Sequence, residues 1–452
     1  MKLKTFAVCA LSLATTQAIA AGFQLQEHSA VGLGRAFAGE AAMTDNASTI
    51  SHNPALSGFF STSQISAGFS YIDPEIDVNG TVSNPTVDQI AGNPSPGTER
   101  EARGEDIAPT AVVPNAYYIR PLNDQLSFGM IVNSNFGLST DYDDDFAALD
   151  TADFAEIVTV NFSPTLSFKP DEKVSIGFGI NIVYGDGTLE NSFPVYESTV
   201  LSGVGAQIGA ELPNNTVVKL EGDDWGFGWN AGIALKPTDA LTLGFSYRSE
   251  VDLELEGDVS TDLENLSSLS VVPGLEGFAA YAQSAILDDG GTLDITLPAV
   301  TEFAAAYQVG QLTISGNATL TEWHVFEELA VTTDAGFTRV LAEENWNNAW
   351  RYAIGVGYEV SQALTLRAGF ALDESPVPAE HRSLAIPDSD REWYSLGATY
   401  TMSQNVSFDF GYSFVSGEDV FVDAEETPLR NSFEGTSGGD AHIFAASVNY
   451  SF

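Results

Sequence analysis

The sequence predicts an all-β protein: a 14-stranded antiparallel transmembrane β-barrel with an N-terminal hatch, or plug, inside its lumen. Three observations predict it. The chain opens like a secretory signal, it has no run near the ~20 apolar residues a membrane helix needs, and it alternates apolar and small polar residues with period two.

In the signal, residues 1–20, Lys2 and Lys4 give a positive start, Phe6 to Leu13 an apolar centre, and Ala18-Ile19-Ala20 a small-residue cleavage site. The mature chain is expected to begin at Ala21 without a thiol, disulfide or Cys-ligated metal, because the one cysteine, Cys9, leaves with the signal. Loss of Lys2 and Lys4 moves the formal charge from −45 to −47, with 62 acidic residues against the 15 basic ones that remain of 17. Such a chain has no clustered Lys/Arg for phosphate, which excludes nucleic acid as a partner. Its carboxylates suit exposed loops, or a saline medium that screens their repulsion.

The last segment shows the alternation best. Phe444, Ala446, Val448, Tyr450 and Phe452 share one face, and Ala445, Ser447, Asn449 and Ser451 the other. In a barrel the first set meets acyl chains and the second lines the lumen. Val406 to Phe414, Ile176 to Tyr184 and Trp225 to Ile233 repeat the pattern. Strands are predicted at 63–80, 108–121, 125–138, 155–169, 172–190, 217–236, 240–257, 294–309, 311–332, 346–360, 362–374, 390–402, 404–420 and 439–452, an even fourteen. Tight turns such as Pro170-Asp171-Glu172 alternate with long polar loops around 81–107, 191–216, 258–293 and 421–438. That asymmetry is the one between periplasmic turns and external loops, with both chain termini periplasmic. A soluble sandwich is disfavoured, because the Gly/Ser/Asn faces are poor core material.

Residues 21–60 do not alternate and are rich in Gly and Ala. A lumen this wide needs filling, so this segment reads as the hatch; a periplasmic tail is the other reading. The division is therefore signal 1–20, hatch 21–60 and barrel 61–452.

Several ordered stretches resemble the outer-membrane long-chain fatty acid transporter family, FadL type, with its aromatic-hydrocarbon relatives. They are Ala21-Gly22-Phe23-Gln24-Leu25, Gly32-Leu33-Gly34-Arg35-Ala36, Asn53-Pro54-Ala55-Leu56, Ile107 to Ala111, Trp225 to Asn230, Tyr247 to Val251, Ser375 to Ala379 and Ile386-Pro387-Asp388. The resemblance spans essentially the whole mature chain. It implies a fourteen-stranded barrel closed by an N-terminal hatch, in which Phe23, Gly32, Gly34, Arg35, Asn53, Pro54 and Ala55 belong to the hatch or gate. It also implies that ligand lands in an external apolar groove, passes to a pocket at the hatch N-terminus, and leaves sideways at a kink in the third strand. The matching residues are Asn135, Phe136 and Gly137. Without the resemblance, Gly137 reads as a strand end. At positions where that family's well-studied member has a pocket arginine and a pocket lysine, this chain has Asn191 and Ala342, with Arg339 nearby. That departure brings a neutral hydrocarbon cargo into consideration.

A fatty acid needs an apolar tunnel and one or two donors. Val272, Leu275 and Phe278, in an unusually apolar external loop, are candidates for the landing groove; helical packing of the loop on itself is the alternative. Alternation puts Arg248, Arg351, Arg367 and Arg391 on the lumen face, either for a ligand carboxylate or for wall carboxylates such as Glu250, Glu302, Glu359 and Asp409.

No catalytic residue is expected. Gly435-Thr436-Ser437-Gly438-Gly439 matches a nucleophile elbow in letters but reads as a flexible loop before the last strand. A lipid hydrolase would need a Ser/His pair at lipid level, whereas Ser407 and His442 fall on lumen faces; an adhesive barrel would leave hatch and kink unexplained. His28, His52, His324, His381 and His442 lack metal-ligand spacing, Asp143-Asp144-Asp145 reads as a solvated loop, and no phosphate-binding glycine motif is present, so no metal and no cofactor are expected. The expected partners are a hydrophobic small molecule, outer-membrane lipid and lipopolysaccharide, and the barrel-assembly machinery, which would read the strand ending in Phe452.

Overall fold

The structure, a computed structural model, describes residues 21–452 except 211–215, 262, 273, 287–288 and 335. The signal and Cys9 lie outside the described residues. The strands are β1 (Gln64–Ser83), β2 (Arg100–Gly104 and Ala111–Pro121), β3 (Leu126–Asn133 and Gly137–Asp141), β4 (Phe154–Asp171), β5 (Val174–Ser192), β6 (Thr216–Thr238) and β7 (Leu241–Arg248 and Val251–Ser260). They continue as β8 (Asp289–Leu297 and Val300–Val309), β9 (Leu312–Thr321 and Glu328–Thr333), β10 (Thr338–Glu343 and Ala349–Ser361), β11 (Leu364–Asp373), β12 (Arg391–Thr401), β13 (Val406–Gly417 and Val420–Ala424) and β14 (Ser432–Ser451). Each pairs antiparallel with the next, and β1 closes the ring on β14 from Gln64↔Ser451 to Ser83↔Ser432. Closure leaves no free sheet edge at the seam.

Period two sorts the side chains as expected. Phe444, Val448, Tyr450 and Phe452 are exposed while Ala445 and Asn449 are buried, and Ile176, Phe178 and Ile180 are exposed while Ser175 and Asn181 are buried. A belt of half-exposed aromatic and aliphatic side chains on every side would be an aggregation surface in water; hydrocarbon relieves it.

Several strand boundaries differ from the sequence expectation: Arg100–Gly104 and Thr338–Glu343 lie outside the expected strands, and three further differences bear on the interior. β14 starts at Ser432, so Gly435 to Gly439 is strand rather than flexible loop, with Ser437 buried opposite Val78. The glycines there give no apolar/polar contrast for periodicity to register; a Cβ at Gly439 would lie 2.0 Å from the Glu75 carbonyl oxygen. The expected 311–332 strand is interrupted by a 3-10 turn at Trp323–Val325. The expected 125–138 strand breaks at 134–136. Below that break β3 pairs with β2 from Ala116↔Val132 to Pro121↔Ser127, whereas above it Gly137–Asp141 pairs with β4 alone.

Residues 21–60 run inside the ring as short turns. α1 (Ala30–Leu33) is capped by Ser29, whose Oγ accepts from Gly32 N at 2.9 Å. The 3-10 turn Pro54–Phe59 is capped by Asn53, whose Oδ1 accepts from Ala55 N at 3.0 Å, with Pro54 placed where its missing N–H costs nothing. The Asn53 amide also donates to Ala41 O at 2.8 Å and to Ile233 O of β6 at 3.2 Å, tying the turn to the wall. Backbone meets backbone at Gly34, where a Cβ would sit 2.7 Å from Gly397 Cα in β12. Glycine is the only side chain that fits so close an approach.

Candidate functional site

The site is built around the start of this internal segment. Phe23 is buried in an aromatic cage, with ring centroids 4.6 Å from Trp323, 5.4 Å from Phe326, 5.8 Å from Trp346 and 6.1 Å from Phe136. Mostly edge-to-face contacts suit the aromatic quadrupole. Leu138, Val251, Leu253, Leu297, Val377 and Ile386 extend the apolar lining. Two polar groups frame it. Asp388 accepts from Gly22 N at 3.1 Å and from the Ser375 hydroxyl at 2.6 Å, and pairs with Arg391. Glu344 accepts from Trp346 Nε1 at 2.8 Å, and burial pushes its carboxyl up to about 7.

The same segment joins the break in β3. Leu25 N donates to Asn135 O at 2.8 Å and Gly137 N donates to Phe23 O at 2.9 Å. The Thr159 hydroxyl of β4 donates to Phe136 O at 2.6 Å. Asn135, Phe136 and Gly137 are all buried, and with Thr159, Arg248 and Val251 the first two line a small cavity.

The four lumen arginines divide. Arg351 donates to Ala36 O at 3.1 Å and stands 3.7 Å from Asp373; Arg367 donates to the Thr399 hydroxyl at 2.6 Å and to Asp45 at 3.3 Å; Arg391 pairs with Asp388. Arg248 donates to Ser51 O at 2.8 Å, and its Nε has no hydrogen-bond partner among the described residues. It also lines a second, polar cavity with Gln24, His28, His52 and Glu302. The expected wall carboxylates are not the partners. Glu302 is taken by His52 at 2.9 Å and Ala41 N at 3.1 Å, and Asp409 by Asn46 at 3.0 Å and Asn449 at 2.6 Å. The carboxylates nearer to the arginines are Asp45 of the internal segment, Asp373 at the end of β11 and Asp388 of a loop. Arg35 joins this network through Glu40 at 2.5 Å and Asp45 at 2.8 Å.

Val272, Leu275 and Phe278 stand apart from this site. The external loop forms a 3-10 segment (Glu264–Val271) and a helix (Glu276–Ser284) that pack with the helix Val195–Ile208. Phe278 is buried among Leu266, Leu269 and Leu201, Val272 and Leu275 are half-buried, and Val271 is 72% exposed. Arg339 donates to Ala285 O of this loop at 3.0 Å, while Asn191 and Ala342 sit in the ladders opposite Val218 and Leu329.

The sequence residues Phe23, Asn135, Phe136, Gly137, Arg248 and Arg391 thus converge, whereas Gly34, Arg35, Asn53, Pro54 and Ala55 fasten the segment to more distant wall. Gly32 lies where a Cβ would strike the Ser29 cap at 2.6 Å. Sequence reasoning missed Trp323, Phe326, Trp346 and Asp388 as site residues. The available signal was two tryptophans where strand alternation lapses, and an Ile386-Pro387-Asp388 stretch that carried resemblance but no role.

A closed fourteen-stranded barrel with an apolar belt, an inner aromatic chamber and an interrupted wall strand is an outer-membrane transport barrel. Residues 11–452 match the family described as outer membrane protein transport protein (OMPP1/FadL/TodX), and the chain belongs to that family. It is 35% identical to the long-chain fatty acid transport protein of Escherichia coli O6:H1, over 99% of this chain and 98% of that one. It is 34% identical to outer membrane protein P1 of Haemophilus influenzae, over 98% of each. The crystal structure of a Pseudomonas aeruginosa FadL homologue superposes with a TM-score of 0.81 at 26% identity, covering 96% of this chain and 100% of that one. The Pseudomonas putida toluene transporter TodX shares the fold, with a TM-score of 0.66 at 18% identity over 95% and 99% of the two chains.

Proposed function

We propose that the protein is a passive outer-membrane transporter that takes up long-chain fatty acids or similar hydrophobic molecules. Cargo gathers on the external apolar cluster around Val272, Leu275 and Phe278, moves into the chamber around Phe23, and leaves sideways at Asn135, Phe136 and Gly137. The observation that carries this reading is one short segment, Phe23 to Leu25, that fills the apolar chamber and hydrogen-bonds the broken strand. Cargo that displaces Phe23 loosens the same backbone that seals the break. Residues 21–60 serve as the hatch, held to the wall through Asn53, the Asp45–Arg367 ion pair and the Gly34 contact. Similarity to the fatty acid transport protein of Escherichia coli supports the cargo class.

A neutral hydrocarbon is the second reading. It rests on Asn191 and Ala342, where the resemblance would have charged pocket residues, and on Arg339 being turned to a loop carbonyl. No chemistry on the cargo is proposed, since Ser437 lies buried in a strand. Lipid and lipopolysaccharide would surround the belt, and Phe452 would close the strand that the assembly machinery reads.

Lipid mass spectrometry of the detergent-purified protein, paired with uptake by a deletion strain, tests the proposal. Co-purified fatty acid and slowed growth on it support transport of acids. Co-purified alkane or arene supports the second reading, and normal uptake in the deletion strain overturns both.

A further inference from the structure

Three external loops meet over the barrel mouth. Asp150 lies between β3 and β4, Glu197 in the helix between β5 and β6, and Asn431 between β13 and β14. All three are buried, at 3%, 2% and 0% exposure, far from the broad solvated acidity of the other loops. Asn431 joins the other two: its N–H donates to Asp150 Oδ2 at 2.8 Å, and its side-chain amide adjoins Glu197. Ser192 N donates to Leu149 O at 3.0 Å, holding the Asp150 loop against the end of β5, from which the Glu197 helix follows.

The remaining oxygens are not satisfied. Asp150 Oδ1, Glu197 Oε2 and Asn431 Oδ1 are each buried with no hydrogen-bond partner among the described residues. The donors nearby are largely committed, although the second N–H of the Asn431 amide faces Glu197. Arg100 gives 2.7 Å to the other Glu197 oxygen and stacks 4.1 Å from the Tyr196 ring, the Asn431 amide donates to Ala147 O at 3.0 Å, and Arg430 donates to Glu425 O at 3.0 Å. Leaving one buried acceptor bare costs about 1–3 kcal/mol, more when it is charged. A proton on Asp150 is the alternative, and it would satisfy that oxygen and one acceptor. An ion with several ligand positions would satisfy all three.

We propose that Asp150, Glu197 and Asn431 bind a divalent cation, calcium by the chemistry of an all-oxygen donor set, and that the ion fastens the three external loops to one another. Two carboxylates and an amide oxygen are hard ligands, and their loops face the medium from which calcium is supplied. With only two charged ligands, affinity belongs in the extracellular range of roughly 10⁻⁴–10⁻³ M.

The test is calorimetric titration of the full-length barrel, purified in detergent and stripped with chelator, with calcium chloride alone. One saturable ion per chain is expected, together with slower proteolysis of the external loops when calcium is present. Asp150→Asn and Glu197→Gln should each weaken binding by at least about tenfold. Asp171→Asn, in an exposed turn at the opposite end, should not. Heat-modifiable gel migration checks that each barrel is assembled, and Asn431→Ala supplies a third reading if one acidic variant does not assemble. Absence of saturable binding, or equal affinity in the site variants, overturns the proposal. Loops of equal protease resistance with and without calcium point to proton sharing and overturn it too.

Discussion

Gly137 donates its backbone N–H to the carbonyl of Phe23 at 2.9 Å, so the interrupted third strand finds in the interior of the barrel the acceptor that a neighbouring strand would normally supply. This bond links the chamber to the wall. A leucine at this position would keep the bond but place a bulky side chain in the gap. Gly137→Leu should therefore reduce fatty acid uptake severalfold in cells that carry a normal amount of assembled barrel; uptake at the native rate would argue against lateral release.

Among the described residues Arg351, Arg367 and Arg391 each pair with a carboxylate and Arg248 does not; its Nε is unpartnered and it lines cavities on two sides. A hydrogen bond to a charged group contributes about 1.5–3 kcal/mol. If cargo is an acid, Arg248→Ala should weaken its retention by roughly ten- to a hundredfold, with little change for a neutral alkane of equal length. Equal losses for acid and alkane would assign Arg248 to holding Ser51 rather than cargo. Arg367→Ala is the contrast, since it leaves Asp45 with Arg35 alone and should loosen the internal segment without discriminating between ligands.

The approach of Gly34 to Gly397 leaves no room for a side chain on either. Gly34→Val should displace the internal segment at a cost of about 1–3 kcal/mol, as overpacking does. Single-channel conductance in planar bilayers should then rise, along with sensitivity to bulky antibiotics, while heat-modifiable migration shows a closed barrel. Unaltered conductance would mean that the segment can move aside without opening a path.

Glu344 gives a pH signature. Its carboxyl rises from an ordinary 4.5 to about 7 through burial, so the folded chain binds this proton more tightly than the unfolded one. The stability it contributes is complete below about 4.5 and declines as pH rises through about 7. Trp346, its hydrogen-bond donor, also packs on Phe23. Tryptophan fluorescence should titrate with a midpoint near 7 and stop doing so in Glu344→Gln; an identical titration in the variant would place the proton elsewhere.

Where one face of a strand is exposed on the apolar belt and the other is buried inside the ring, the chain announced itself. The contrast of Phe444, Val448 and Tyr450 with Ala445 and Asn449 made β14 readable at its C-terminal half. That contrast fades in the Gly435 to Gly439 half, where small residues on both faces allow close packing against β1, and the strand looked like loop. Trp323 and Trp346 come from an interruption of β9 and a loop before the second half of β10, and nothing in their local sequence marks them as meeting at 5.0 Å. The arginine partners were equally hidden, because Asp45, Asp373 and Asp388 reach them from the internal segment, a strand end and a loop. Family resemblance supplied the kink that alternation alone would have ended as an ordinary strand.

The third strand's upper half has a ladder on one side only, and within a bilayer no water is at hand to accept or donate in place of a missing neighbour. Residues 23 to 25 supply what is missing through two backbone bonds. Withdrawing them strands the Asn135 carbonyl and the Gly137 amide, at about 1–3 kcal/mol for each. On the proposed lateral route, those two bonds favour the shut condition after each passenger: a door with its spring in the frame.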